Sequence, residues 1–165
     1  MVDRYQDRIR GVYDAHSMPI VYPVPLIGVA EALGYIVRDF VLTPENRSIS
    51  GAVMYKEKKI LLNPSEYERR KNFTLAHELG HIILGHGKDR DSEYDTRDTI
   101  WNSDKNSREY DVYELATELM MPAKEFLKEW ERCHDVAELA DTFQVLIIEA
   151  KKRLDMLGIN FMGGE

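Results

Sequence analysis

The chain has a single cysteine, Cys133, among its 165 residues. A lone thiol forms no internal disulfide, so nothing here calls for an oxidising compartment. An uninterrupted apolar run is also missing. The most apolar stretch, "PIVYPVPLIGVAEALGYIV", is broken by three prolines and by Glu31, which excludes it as a membrane span. The opening "MVDRYQDRIR" alternates in charge where a secretory leader needs apolar residues. Positive charge is scarce as well: 22 Lys and Arg against 29 Asp and Glu leave a net charge of −7. Nonspecific nucleic-acid binding depends on clustered cations that neutralise phosphates, so direct nucleic-acid binding is not expected. The acidic balance is compatible with a basic protein partner. There is no internal repeat and no low-complexity tract. The expectation is a cytoplasmic protein with no membrane association, large enough to bury a core without staples.

What is present reads as alternating helical and extended segments. Residues 1–16 form a short polar helix, and "SMPIVYPVP" is a proline-stiffened connector. Residues 25–33 resume a helical pattern, with Leu26, Val29, Ala30 and Leu33 on one face and Gly34 at the C-cap. "YIVRDF" has strand character, and "SGAVMY" and "KILLN" form a hairpin across the charged turn "KEKK". After Asn63-Pro64 a helix runs from Ser65 or Arg69 to Leu84, stopped by Gly85 and Gly87. Residues 88–108 show no apolar periodicity and read as a long charged loop, in which Ile100 and Trp101 are placed either to anchor it or to line a cleft. A helix follows over 109–120, ended by Met121-Pro122, and then three more.

The chemistry concentrates in "FTLAHELGHIILGH". His77 and His81 stand four residues apart, so on a helix both imidazoles reach one ion. Glu78, one step round, does not point at that ion but can reach a water bound to it and take its proton. Zinc lowers the pKa of such a water to about 7, which makes hydroxide available at neutral pH. The plainer alternative is an amphipathic helix that happens to carry histidines. Against it, Leu79, Ile82 and Ile83 anchor the helix in a core. Gly80 also costs about 1 kcal/mol against Ala in a helix interior, which suits a place where backbone or ligand must approach closely.

A catalytic zinc takes three protein ligands and keeps one position open. On the helix at 109–120 the apolar face is Val112, Leu115, Ala116 and Leu119, and Glu109 falls on it. Asp111 and Glu118 project from the opposite side, with Glu114 well round towards it. A buried-face acid is unfavourable unless something positive meets it. Glu109 is therefore the candidate third ligand, and Asp111 is its rival. A first-turn acid is also explained by the helix dipole alone. His86 lies beyond the glycine stop and reads as non-ligating, and His16 and His134 sit in polar surroundings as surface residues.

"FTLAHELGH", followed about thirty residues later by an acidic helix ending "ATELMMP", resembles the ImmA/IrrE metallopeptidases. The family's two motifs read much like FT-x-x-HE-x-GH and E-x-x-A-N-x-FA-x-x-LLMP. Counted back from Met121-Pro122, the family's ligating Glu falls on Glu109. The resemblance extends to the hairpin "SGAVMY…KILLN" and to "ELADTFQV…AKKRLDMLG". Two positions depart: Tyr113 stands for the usual Asn, which puts the surroundings of the metal in question, and Leu115 stands for Phe. The resemblance implies an α+β fold in a mostly helical single domain. A small antiparallel sheet packs beside the histidine helix in a zincin-like core over residues 1–122, and a C-terminal helix-turn-helix-like segment over 123–165 packs on the same domain. It further implies one Zn2+ per chain on His77, His81 and Glu109, with Glu78 as base. The activity implied is a specific endoproteolytic cut in a cytoplasmic helix-turn-helix repressor of a prophage or other mobile element.

Two rivals remain open. The C-terminal "DVAELADTFQVLIIEAKKRL" could read DNA, with Lys151, Lys152 and Arg153 towards phosphate. Asp135, Glu138, Asp141 and Glu149 would repel the duplex. A zinc-stabilised binding module without catalysis is the other, and it leaves Glu78 without a use. The 88–108 segment joins the two ligand-bearing helices, and as a loop of low local stability it is the expected gate to the metal.

Overall fold

The computed structural model describes residues 4–105 and 107–161. Its organising element is α3 (Glu68–Ile83), in which every residue from Phe73 to His81 is buried. A helix buried all round must be covered on both sides. It starts where Asn63 closes the preceding turn: Asn63 Oδ1 accepts from the Ser65 backbone N–H at 2.8 Å, and Asn63 Nδ2 donates to the Ile49 carbonyl at 2.9 Å. It stops where Gly85 takes a left-handed conformation, φ 78°.

One cover is a four-stranded sheet in the order β1 (Ile36–Asp39), β3 (Lys59–Leu62), β2 (Ile49–Met54), β4 (Ser92–Thr96). β2 and β3 form the antiparallel hairpin expected from the sequence. The sheet is not wholly antiparallel, because β1 pairs parallel to β3. β2 lies directly on α3 at Gly51, where a β-carbon would come within 2.6 Å of Glu78 Oε1 and 2.7 Å of Thr74 Cγ2. Before β1, α1 (Gln6–Ala15) and α2 (Leu26–Ala32) contribute Ile9, Tyr13, Val29 and Ala30 to the core.

The segment 88–108 is not the loop its composition suggests. It contains β4, paired antiparallel with β2, and then α4 (Arg97–Trp101), capped by the Thr96 hydroxyl, which accepts from the Thr99 N–H at 3.2 Å. Ile100 is fully buried, and the Trp101 ring packs on Phe73 at 4.5 Å between centroids. Backbone pairing orders the segment, and pairing leaves little trace in hydropathy.

The other cover is α5 (Arg108–Met120), capped by Ser107. It crosses α3 at Gly80, where a β-carbon would sit 2.9 Å from Val112 Cγ1 and 3.3 Å from the Val112 carbonyl oxygen. The far side of α5 is not solvent. Glu118, expected to project outward, is 4% exposed, because α8 (Ile147–Met156) brings the equally buried Arg153 onto it. Arg153 Nε also donates to the Met121 carbonyl at 2.9 Å, so this cation holds the C-terminal helices to α5 and does not face solvent or phosphate. α6 (Ala123–Cys133) and α7 (Val136–Phe143) add Phe126, Leu139 and Phe143 to the same core. Arg69 of α3 donates to the Val145 carbonyl at 3.0 Å and pairs with Asp141. The architecture is α+β in one domain, with eight helices and a small mixed sheet among the described residues. Among the described residues no helix is long and apolar enough to cross a membrane.

Glu149 caps α8 by accepting from the Leu146 N–H at 2.8 Å, yet it lies in the interior. Burial raises its pKa from the ordinary 4.5 to about 8, opposed by that N–H and by Arg70, Lys152 and Arg69. The folded state therefore keeps a proton that the unfolded chain releases. Stability falls as pH rises from about 4.5 to about 8 and is level above. Glu149→Gln keeps the cap and removes the titration. It is expected to match the parent near pH 5 and to exceed it at pH 9 by a few kcal/mol at most in urea denaturation. An identical decline in both proteins between those pH values would refute this.

Candidate metal centre

The pitch of α3 sets His77 and His81 on one face, with ring centroids 4.9 Å apart and no solvent exposure. The crossing at Gly80 brings the first turn of α5 over them. Glu109 Oε2 lies 3.2 Å from His77 Nε2 and 3.2 Å from His81 Nε2. Asp111 turns away, accepting from the Tyr5 hydroxyl at 3.2 Å and pairing with Arg4. Tyr113 packs its ring against Phe73 and Tyr110.

A fourth group converges that the sequence reading did not name. Asp95 Oδ2 of β4 is 3.0 Å from His81 Nε2 and 3.6 Å from His77 Nε2. The ligand atoms of His77, His81, Asp95 and Glu109 all lie within 4.8 Å of one another. A tetrahedral zinc with bonds of about 2.0–2.1 Å holds its ligand atoms roughly 3.3 Å apart. The donors present fit such an ion in type, spacing and seclusion.

Around this set lies a layer that orients it. His81 Nδ1 faces Glu93 Oε2 at 3.1 Å and His86 Nδ1 at 2.9 Å. Glu93 in turn accepts from Tyr55, from Arg90 at 3.0 Å and from Arg108 at 2.5 Å. Arg108 also reaches Glu109 at 3.2 Å. His81, His86 and Glu93 are spaced for an ion of their own. Glu93 is already saturated by Tyr55 and two guanidinium groups, so this group reads as the carboxylate–histidine support that metal ligands commonly have.

Charge balance makes the same demand as geometry. Burial opposes a charged His81, but hydrogen bonds to Asp95, Glu109 and Glu93 overcome it and raise its pKa to about 12. Burial likewise opposes ionised Glu109 and Glu93, and their histidine and arginine partners win, holding Glu109 well below the usual range and Glu93 at about 2. The cavity is thus built to enclose positive charge. Beside it, both oxygens of the fully buried Glu78 lack a hydrogen-bond partner, as does His77 Nδ1. Burial, then the neighbouring Asp95, pushes the Glu78 carboxyl well above the ordinary range.

With this arrangement in view, the comparison with known families is direct. Residues 31–155 match the IrrE N-terminal-like domain, and the chain belongs to that metallopeptidase family, as the two motifs suggested. No curated protein matches the chain. Family membership implies a metal.

Asp95, Glu93 and Arg108 escaped the sequence reading. The available signal was a short alternation, Glu93-Tyr94-Asp95, that turns acids inward and leaves Tyr94 59% exposed, the reverse of an ordinary strand. The protein loaded with Zn2+ is expected to hold one ion per chain. Saturating zinc at about 100 times Kd should stabilise it by about 2.7 kcal/mol. His77→Ala and His81→Ala should abolish both effects, read by elemental analysis and thermal denaturation. Stoichiometric zinc surviving both substitutions would remove this ligand set.

Proposed function

We propose that the chain is a zinc-dependent endopeptidase of the cytoplasm. His77, His81 and Glu109 are its metal ligands, and Glu78 is its general base. The observation that carries the reading is the convergence of two buried imidazoles and the Glu109 carboxylate within 3.2 Å beside an unpartnered, fully buried Glu78. A zinc ion on these residues would polarise the scissile carbonyl and bring the pKa of a bound water to about 7. Glu78, whose proton affinity burial has raised, takes a proton from the attacking water as the oxygen adds to the carbonyl carbon. It then delivers that proton to the departing amine nitrogen as the C–N bond breaks. Glu93 and Arg108 orient His81 and Glu109 in the conformation described.

The substrate we infer is a cytoplasmic helix-turn-helix repressor of a prophage or other mobile element, cut at one position. The motif resemblance supports it, and the net charge of −7 suits a basic partner. A zinc-stabilised binding module without catalysis is the second reading. The fourth converging group, Asp95, favours it, since structural sites are closed by protein ligands. It leaves the seclusion of Glu78 without a purpose.

Glu78→Gln separates the two. The variant should keep fold and zinc while cleavage falls about 10²–10⁴-fold. Near-parental cleavage by it would place the base elsewhere. A helix-turn-helix protein encoded beside this chain should be cut once on co-incubation under inducing conditions, read by mass spectrometry. An uncut partner under every inducing condition would count against the substrate assigned here.

A further inference from the structure

The same centre carries a feature that its catalytic use does not require. We propose that Asp95 is a fourth protein ligand that closes the metal centre, so that the conformation described is a latent one and opening requires β4 to withdraw. This rests on the zinc-peptidase reading and adds its control.

Four observations support it. Asp95 Oδ2 stands as near to the two imidazole nitrogens, 3.0 and 3.6 Å, as Glu109 does at 3.2 Å. Asp95 is 3% exposed and, among the described residues, forms no ion pair with Lys or Arg, so His77 and His81 are its ionic partners. A carboxylate is not kept in such a place without positive charge to meet it. Its position is also imposed by the backbone. Asp95 is the register partner of Gly51, and Glu93 that of Val53, so the β2–β4 ladder points both acids at α3. Finally, of the four converging side chains Glu109 is the one appreciably open to solvent, at 21%, while Asp95 and both histidines are buried. An open catalytic position must be free of protein ligands, and here Asp95 of β4 stands within 3.0 and 3.6 Å of the imidazole nitrogens.

β4 is suited to leave. It is an edge strand of five residues, bonded to β2 alone, and the ladder is irregular between Ile49 and Gly51, next to Asp95. Edge elements with one partner open at a fraction of the global unfolding free energy. Withdrawal takes Asp95 from the metal and Glu93 from His81 Nδ1, while His77, His81 and Glu109 remain on α3 and α5.

The test uses the full chain loaded with Co2+, whose visible absorption reports coordination, and acetohydroxamate as an external ligand. The parent spectrum is expected not to respond at concentrations that saturate Asp95→Asn and Asp95→Ala. In chelator competition the parent should hold Zn2+ about tenfold or more tighter than either variant. A parent spectrum that shifts with acetohydroxamate as readily as the variants overturns the closure while leaving a three-ligand peptidase intact. Equal Zn2+ affinity in parent and variants overturns it too. If neither variant folds, the parent alone decides, by whether its spectrum responds. If the parent takes up neither ion stoichiometrically, the zinc-peptidase reading itself fails.

Discussion

Everything at the centre depends on how closely α3 is approached from its two sides. Gly51 lets β2 rest against Glu78 and Thr74, and Gly80 lets α5 rest against the helix between the two histidines. A side chain at either position would push a neighbour away by the width of a methyl group, and core packing tolerates little of that. These contacts do more than fill space. The first fixes the strand that holds β4 in register, and the second fixes the turn that carries Glu109. Groups that could hold a metal, from three separate elements, meet because α3 is the shared wall between sheet and helices.

The second constraint is electrostatic. Two imidazoles, two carboxylates that face them and a third carboxylate behind are gathered out of water, with Arg108 and Arg90 attending only the outermost acid and one oxygen of Glu109. Such a set is stable only around a positive charge. Glu78 is treated differently. Burial, and the Asp95 carboxylate beside it, make it hold a proton more firmly. Neighbouring carboxylates are thus driven in opposite directions, Glu109 towards ionisation and Glu78 towards protonation, a separation suited to one binding charge and the other moving protons.

Much of this was legible in the sequence, and what was not has identifiable causes. The i, i+4 spacing places His77 and His81 on one face whatever the tertiary context, and the apolar face of α5 carries Glu109 towards them. The β2–β3 hairpin is announced by its turn. The parallel pairing of β1 leaves no local mark, because four residues with a mostly exposed pattern do not say which strand they will meet. β4 was hidden for a different reason: its inward residues are charged, so hydropathy assigns its faces backwards. Glu118 was misplaced because a helical wheel assumes one covered side, whereas α5 is covered by α3 on one side and by Arg153 on the other.

The sheet order has a consequence for aggregation. With β4 in place, β2 is interior and its backbone is paired on both sides. Without β4, β2 becomes the rim of the sheet, and its sequence, Ile49-Ser50-Gly51-Ala52-Val53-Met54, is uncharged and largely apolar. Natural sheets guard their rims with charge, proline or bulges, because a bare apolar rim recruits any extended chain that can pair with it. β2 has none of these but the irregularity at its start. The five residues of β4 thus also act as a gatekeeper against self-association, and the chain is at its stickiest whenever that strand is away.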